Sequence, residues 1–112
     1  MKRQSSPGRW KEAGAWLSHL RKSAGLTQLE LATLLDIRYY AFVSQVENGF
    51  SRVPTTKLEA WAHALQVDPT AFTKRLLSLY EPELHRLLYE IDSSEIREAP
   101  KKRARSASRA AS

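Results

Sequence analysis

The sequence has no cysteine among its 112 residues, which removes disulfides and thiolate metal sites together and fits a reducing compartment. It also lacks long apolar runs. Hydrophobic residues make up 42% of the chain, but they are interrupted every few positions, far short of the roughly 20 in a row that a membrane-spanning helix needs. The first ten residues hold Lys2, Arg3, Ser5, Ser6, Pro7, Gly8 and Arg9, with no apolar stretch of the signal-peptide kind. The few glycines, Gly8, Gly14, Gly25 and Gly49, form no phosphate-cradling loop. His19, His63 and His85 stand 44 and 22 residues apart with no HxxxH pairing, so no metal site is expected. No nucleophile has a histidine or carboxylate at a recognisable spacing. Neither strand-like alternation nor an internal repeat is present. These absences predict one soluble, all-α domain with no enzymatic activity, no cofactor and no membrane partner, and the cytoplasm as its place.

What charge there is lies unevenly. Eighteen Lys and Arg against twelve Asp and Glu give a net charge of +6, yet nine of those cations fall in residues 1–11 and 99–112, which contain no acid. The stretch between them carries nine bases against all twelve acids and is net negative. The overall basicity therefore describes two arms, and any claim on nucleic acid must rest on how the few cations of the folded part are placed. Within residues 16–57 the balance is favourable, with Arg21, Lys22, Arg38, Arg52 and Lys57 facing Glu30, Asp36 and Glu47.

Helical spacing begins at Ala13, with Trp16, Leu17, Leu20 and Ala24 on the same stripe and Gly25 placed for a left-handed C-terminal cap. Thr27-Gln28-Leu29-Glu30 is a capping box, so a second helix starts there and runs to about Leu35. Asp36 interrupts it. From Tyr39 to Asn48 one stripe is Tyr39, Val43 and Val46 with Phe42 beside it, and the opposite stripe is Ala41, Ser44, Gln45 and Asn48. Asn48-Gly49 ends this third helix. A fourth is predicted over Lys57 to Leu65. A fifth begins after the Asp68-Pro69 cap. Past Glu81-Pro82, the residues Leu84, Leu87, Leu88 and Ile91 follow the spacing of a further amphipathic helix.

Two short helices across a tight turn, the second with an outer wall of small and amide side chains, meet the requirement for reading the major groove of DNA. The residues from Leu20 to Leu65 resemble the XRE family, the helix-turn-helix group of the lambdoid phage repressors and Cro. The segments that carry the likeness are LRKSAGLTQLELATLL and SQVENG. The resemblance implies a compact five-helix, lambda-repressor-like DNA-binding domain, here with an added C-terminal amphipathic helix. It also implies a bacterial or phage transcriptional regulator, commonly a repressor, acting on double-stranded DNA as a homodimer.

On the matching positions, the resemblance pairs Arg21 with Glu47 as an ion pair tying two helices, whereas spacing alone also allows two solvated side chains. It places Thr27, Gln28 and Asn48 at phosphates, where a helix start favours an anion, and Arg38, Arg52 and Lys57 among the contacts to the sugar-phosphate backbone. A recognition helix over about Tyr40 to Asn48 would present Tyr40, Ala41, Ser44 and Gln45 to the bases. Gln45 has the sharpest chemistry, because an amide can bond N6 and N7 of one adenine. Tyr39 is expected half-buried beneath that helix. Two departures fall in the turn: Asp36 stands where the family usually has glycine, and the interval from Gln28 to Val43 is one residue longer than usual, with no Ser or Thr to cap the third helix.

The domain organisation expected from this reading is a flexible basic arm over 1–11, the helix-turn-helix domain over 12–80, a C-terminal helix over 81–92 and a disordered basic tail over 93–112. The stripe on the C-terminal helix either joins two copies or folds over its own chain. The Lys101–Arg105 run could serve a DNA arm, a solubilising tail, an import signal or a membrane surface. The alternative to DNA regulation is a protein-interaction module of the same fold, antitoxin-like, with an unknown protein partner.

Overall fold

The computed structural model describes residues 8–90, and among them every regular element is a helix. The sequence-derived starts and stops of these helices have identifiable local causes. Helix α1 (Lys11–Ser23), α2 (Gln28–Leu34), α3 (Ala41–Glu47), α4 (Leu58–Ala64) and α5 (Pro69–Tyr80) form the first unit, with a 3-10 turn at Thr55–Lys57 leading into α4.

The first four helices end in the same way. In each, a residue with positive φ (Gly25 at 77°, Asp36 at 56°, Gly49 at 83°, Gln66 at 64°) follows the C-cap. Its N–H and that of the next residue donate back to carbonyls of the last turn, as when Asp36 N bonds Thr33 O and Ile37 N bonds Ala32 O. This is the Schellman closure, which satisfies carbonyls that the helix itself leaves open. Asp36 thus takes the left-handed conformation of the family's glycine, and Gln66 does so with no glycine-like signal in the sequence. At the other end, Thr27 Oγ1 accepts from Glu30 N at 3.0 Å while Thr27 N donates to Glu30 Oε1 at 2.9 Å, completing the capping box. Asp68 caps α5 through Ala71 N at 2.8 Å. Helix α3 has no side-chain cap at all, in keeping with Tyr40 at its N-cap position.

One core sits among these five helices. Leu17, Leu31, Val43, Val46, Trp61, Phe72 and Leu76 are fully buried, each aliphatic or aromatic side chain contributing about 1.5–3 kcal/mol by leaving water. Trp16, half-buried, stacks on Phe72 with ring centroids 5.6 Å apart. Ala13, Ala32 and Ala62 are the small buried residues of α1, α2 and α4, where close helix approach needs little side-chain volume.

The glycine at position 14 is decisive for that packing. A Cβ there would sit 2.2 Å from the backbone carbonyl oxygen of Glu47, so α1 can lie against the end of α3 only because position 14 has no side chain. Residues 8–10 also belong to the packed unit. Gly8 is buried, Trp10 N donates to Gly49 O at 3.0 Å, and α1 begins at Lys11. The expected flexible arm over 1–11 is corrected accordingly: Gly8 and Trp10 cover the backbone of Gly49, an attachment that the run of charges around them concealed. The rest of that arm, residues 1–7, lies outside the described residues, as does the tail over 93–112.

The second unit starts at Glu81. Its described part is a short helix, α6 (Pro82–His85), followed by a π-type turn over Arg86–Glu90. Arg86 and Glu83 form an exposed ion pair at 2.5 Å, and hydrogen bonding from Arg86 lowers the Glu83 carboxyl below its ordinary range. Leu84, Leu87, Leu88 and Tyr89 are between 45% and 57% exposed. Ile91, the last member of the expected stripe, falls outside the described residues.

Candidate nucleic-acid interface

Helix α3 separates its two faces cleanly. Val43 and Val46 have no solvent exposure, Phe42 packs partly against the core, and Ala41, Ser44 and Gln45 are half-exposed with Asn48 fully so. Because the valines are locked inside, the helix cannot roll, and the polar wall is held outward. Asn48 Nδ2 donates to Ser44 Oγ at 3.3 Å along this wall.

The far end of α3 is fixed by charge. Glu47 accepts from Arg21 Nε at 2.6 Å and from Arg21 Nη2 at 3.1 Å, with side-chain exposures of only 10% and 6% for the two partners. Arg21 Nη1 also donates to Leu26 O at 2.7 Å, and Gln28 Nε2 donates to Glu47 Oε1 at 2.9 Å. One carboxylate therefore ties α1, the start of α2 and the end of α3 together, and the bidentate geometry is that of the stronger charge-assisted bonds. The Gln28 amide, expected at a phosphate, is spent in this network on one of its donors, while Thr27 is exposed and caps α2.

In the turn, Arg38 and Tyr40 are exposed. Tyr39 is 62% exposed rather than half-buried. The reason is the register: α3 starts at Ala41, so Tyr39 belongs to the bend before it, and Phe42 takes the inner position that the stripe assigned to the tyrosine. Lys57 is exposed and borders, with Ile37 and Pro54, a mostly apolar cleft of about 320 Å³.

Arg52 departs from the picture of an exposed loop cation. It is half-buried, its guanidinium carbon 4.6 Å from the Tyr80 ring centroid and 5.4 Å from that of Trp10. Those rings meet edge to face at 5.8 Å, and the Tyr80 hydroxyl accepts from Val53 N at 3.1 Å. Burial raises the Tyr80 hydroxyl above its ordinary value, an effect opposed by the Val53 hydrogen bond and the Arg52 charge. Sequence reasoning missed Trp10 and Tyr80 here, since nothing in their spacing links positions 10, 52 and 80. It missed Gly14 too, although a glycine inside a helix, at a cost of about 1 kcal/mol, is itself a sign of close packing.

The helix-turn-helix family matches residues 17–72, half of the chain, and those bounds take in α2, the turn and α3. The chain belongs to the Cro/C1-type helix-turn-helix family. Among solved structures, this family member is similar to the restriction-modification controller protein C.AhdI from Aeromonas hydrophila, with 30% identity and a TM-score of 0.51 over 56% of this chain and 94% of that one. Comparison with curated proteins finds no match. As a member of this helix-turn-helix family the chain is a DNA-binding regulator of the XRE type. Among the described residues no helix is long and apolar enough to cross a membrane.

Proposed function

We propose that the chain binds specific sequences of double-stranded DNA with α3 in the major groove and controls transcription by occupying promoter DNA. The observation that carries this reading is the division of α3. Its inner face and its end are fixed by Val43, Val46 and the Glu47 network, and its outer face offers Ala41, Ser44 and Gln45 half-exposed. A rigid helix with a small, polar outer wall is what base reading requires. Tyr40, Ala41, Ser44 and Gln45 read bases. Thr27, Gln28, Arg38, Asn48, Arg52 and Lys57 face the backbone and set affinity without sequence preference. The controller protein C.AhdI suggests one setting, control of a restriction-modification locus.

Selection of bound sites from random duplexes tests the reading. A defined site, bound with strong salt dependence, is expected, and equal affinity for all duplexes would refute it. Gln45→Ala should relax preference at one base pair, a loss of about 1–3 kcal/mol of discrimination, and an unchanged site profile would show that Gln45 reads no base. The exposed Leu84, Leu87 and Leu88 favour a homodimer on a two-fold operator. Light scattering of the full chain and of a Leu84→Ser/Leu88→Ser variant should give a lower mass for the variant alone.

A further inference from the structure

Two glycines far apart in sequence meet with their backbones in contact. Gly8 is buried, and a Cβ on it would collide with the carbonyl of Gly49 and lie 2.6 Å from Asn48 O. A Cβ on Gly49 would in turn lie 2.5 Å from Lys11 N and 2.6 Å from the Trp10 carbonyl carbon. Between these contacts, Trp10 N donates to Gly49 O at 3.0 Å. Backbone lies directly on backbone, a closeness that needs positions without side chains. The result is a clasp: on its way into α1, the chain is fastened to the C-terminal end of α3.

The clasp decides where the preceding residues enter the packed unit. Residues 1–7 join it at Gly8, against Asn48 and Gly49, and so at one end of the helix whose outer wall carries Ser44 and Gln45. They include Lys2 and Arg3 and no acid. Chain geometry limits Lys2 to about 22 Å from Gly8, and a DNA strand carries a phosphate in about every 3.4 Å of its axis. On a duplex seated against α3, several phosphates flanking the contacted bases fall within that reach. Arg9 and Lys11 are exposed, so the run of cations continues to the start of α1. These charges matter because residues 12–98 hold nine bases against twelve acids, a balance that gives the rest of the fold no general attraction for DNA. A cation tethered beside α3 meets its phosphate in an intramolecular step, at the high effective concentration of a short tether.

We propose that residues 1–7 form a DNA-backbone arm, which the Gly8–Gly49 clasp delivers to the C-terminal end of α3 so that Lys2 and Arg3 reach phosphates flanking the site. The inference rests on the proposed reading of DNA by α3, and its experiment distinguishes the two. Gly8 and Gly49 touch no DNA in this scheme and act by position alone.

The full chain and its variants are compared on the duplex that the full chain selects, through the salt dependence of affinity and a hydroxyl-radical footprint. Lys2→Gln/Arg3→Gln should reduce the steepness of log affinity against log salt by about 1.8, two contacts at about 0.9 each. It should also erase protection of the flanking backbone while leaving the selected sequence unaltered, since phosphate contacts carry no sequence information. Gly8→Val keeps every charge, yet should blur the flanking protection and flatten the slope, because the arm no longer starts from a fixed point.

An unchanged slope in Lys2→Gln/Arg3→Gln, or flanking protection that persists in it, overturns the arm. A wild-type footprint in a folded Gly8→Val protein overturns the role of the clasp. Should Gly8→Val fail to fold by circular dichroism, a Gly-Ser-Gly-Ser insertion between Pro7 and Gly8 decides, because it leaves the clasp untouched. The insertion should spread the flanking protection outward, and protection that stays in place refutes the proposal. If the wild-type chain selects no duplex, the function proposed above is wrong; if it selects one and the charge variant behaves as wild type, the arm alone is wrong.

Discussion

Replacing Glu47 by alanine isolates the element that sets the angle between the two helices of the motif. The substitution leaves the Arg21 guanidinium, whose side chain is 10% exposed, without two of its three hydrogen-bond acceptor contacts, and it takes the acceptor from the Gln28 amide. Breaking a buried pair in this way costs about 3–5 kcal/mol. At roughly 0.05–0.15 kcal/mol per residue, a unit of about 80 residues is stable by about 4–12 kcal/mol in total. The loss is therefore about a quarter of the stability or more, and the melting temperature should fall by about 12 °C at least. Removing both charges with Arg21→Met and Glu47→Leu should cost much less than Glu47→Ala, because no uncompensated ion remains inside. Urea unfolding followed by tryptophan fluorescence gives the midpoints of the wild type, of Glu47→Ala, of the double variant and of its two single variants, provided the m-value stays constant. Two results would refute the reasoning: a Glu47→Ala cost below about 1 kcal/mol, the value for a solvated pair, or a double variant no more stable than the additive sum of the two single ones.

Gly14→Ala sets helix propensity against packing. Alanine gains about 1 kcal/mol in a helix interior, but its Cβ would lie 2.2 Å from Glu47 O, and forcing α1 away from α3 costs about 1–3 kcal/mol or more. The urea midpoint should drop; a rise would mean that the two helices can separate freely. Thr27→Ala should cost about 1 kcal/mol through loss of the capping box, and the midpoint of a Glu30→Ala variant tests the reciprocal bond. Tyr80 has a folded-state pKa raised above 10.0, so its protonated form is the one the fold favours. Its contribution is complete below pH 10 and is lost as the pH climbs through the raised value. Tyr80→Phe should therefore show a shallower alkaline loss of stability than the wild type, and identical pH profiles would contradict the burial of that hydroxyl.

The order of helices was legible because each start and stop has a local chemical cause. Thr27 with Glu30, Asp68 with Pro69, Gly25 and Asn48-Gly49 act within a few residues of themselves, which a linear reading can follow. The division of α3 into Val43 and Val46 against Ser44 and Gln45 was legible for the same reason, as helical periodicity is a local property. What failed was local structure that depends on register. Tyr39 lies on the apolar stripe only if the helix has already begun, and with no Ser, Thr, Asp or Asn to mark its start the sequence extends the third helix two residues too early. The other misses depend on contacts distant in sequence. Gly14 against Glu47, Trp10 against Gly49, and Arg52 against Tyr80 join positions 28 to 39 residues apart, and no periodicity encodes such a meeting. The Arg21–Glu47 separation is of the same kind, and there only the likeness to a family indicated which partners to join.

The split of α3 into an inner and an outer set has a consequence for how such a protein diversifies. Val43, Val46 and Glu47 anchor the helix, while Ala41, Ser44 and Gln45 contribute little to that anchoring through their side chains. Exchange at the outer positions can therefore proceed almost independently of thermodynamic constraint, and a library randomised there would remain largely foldable. The scaffold separates innovation from integrity over barely two helical turns.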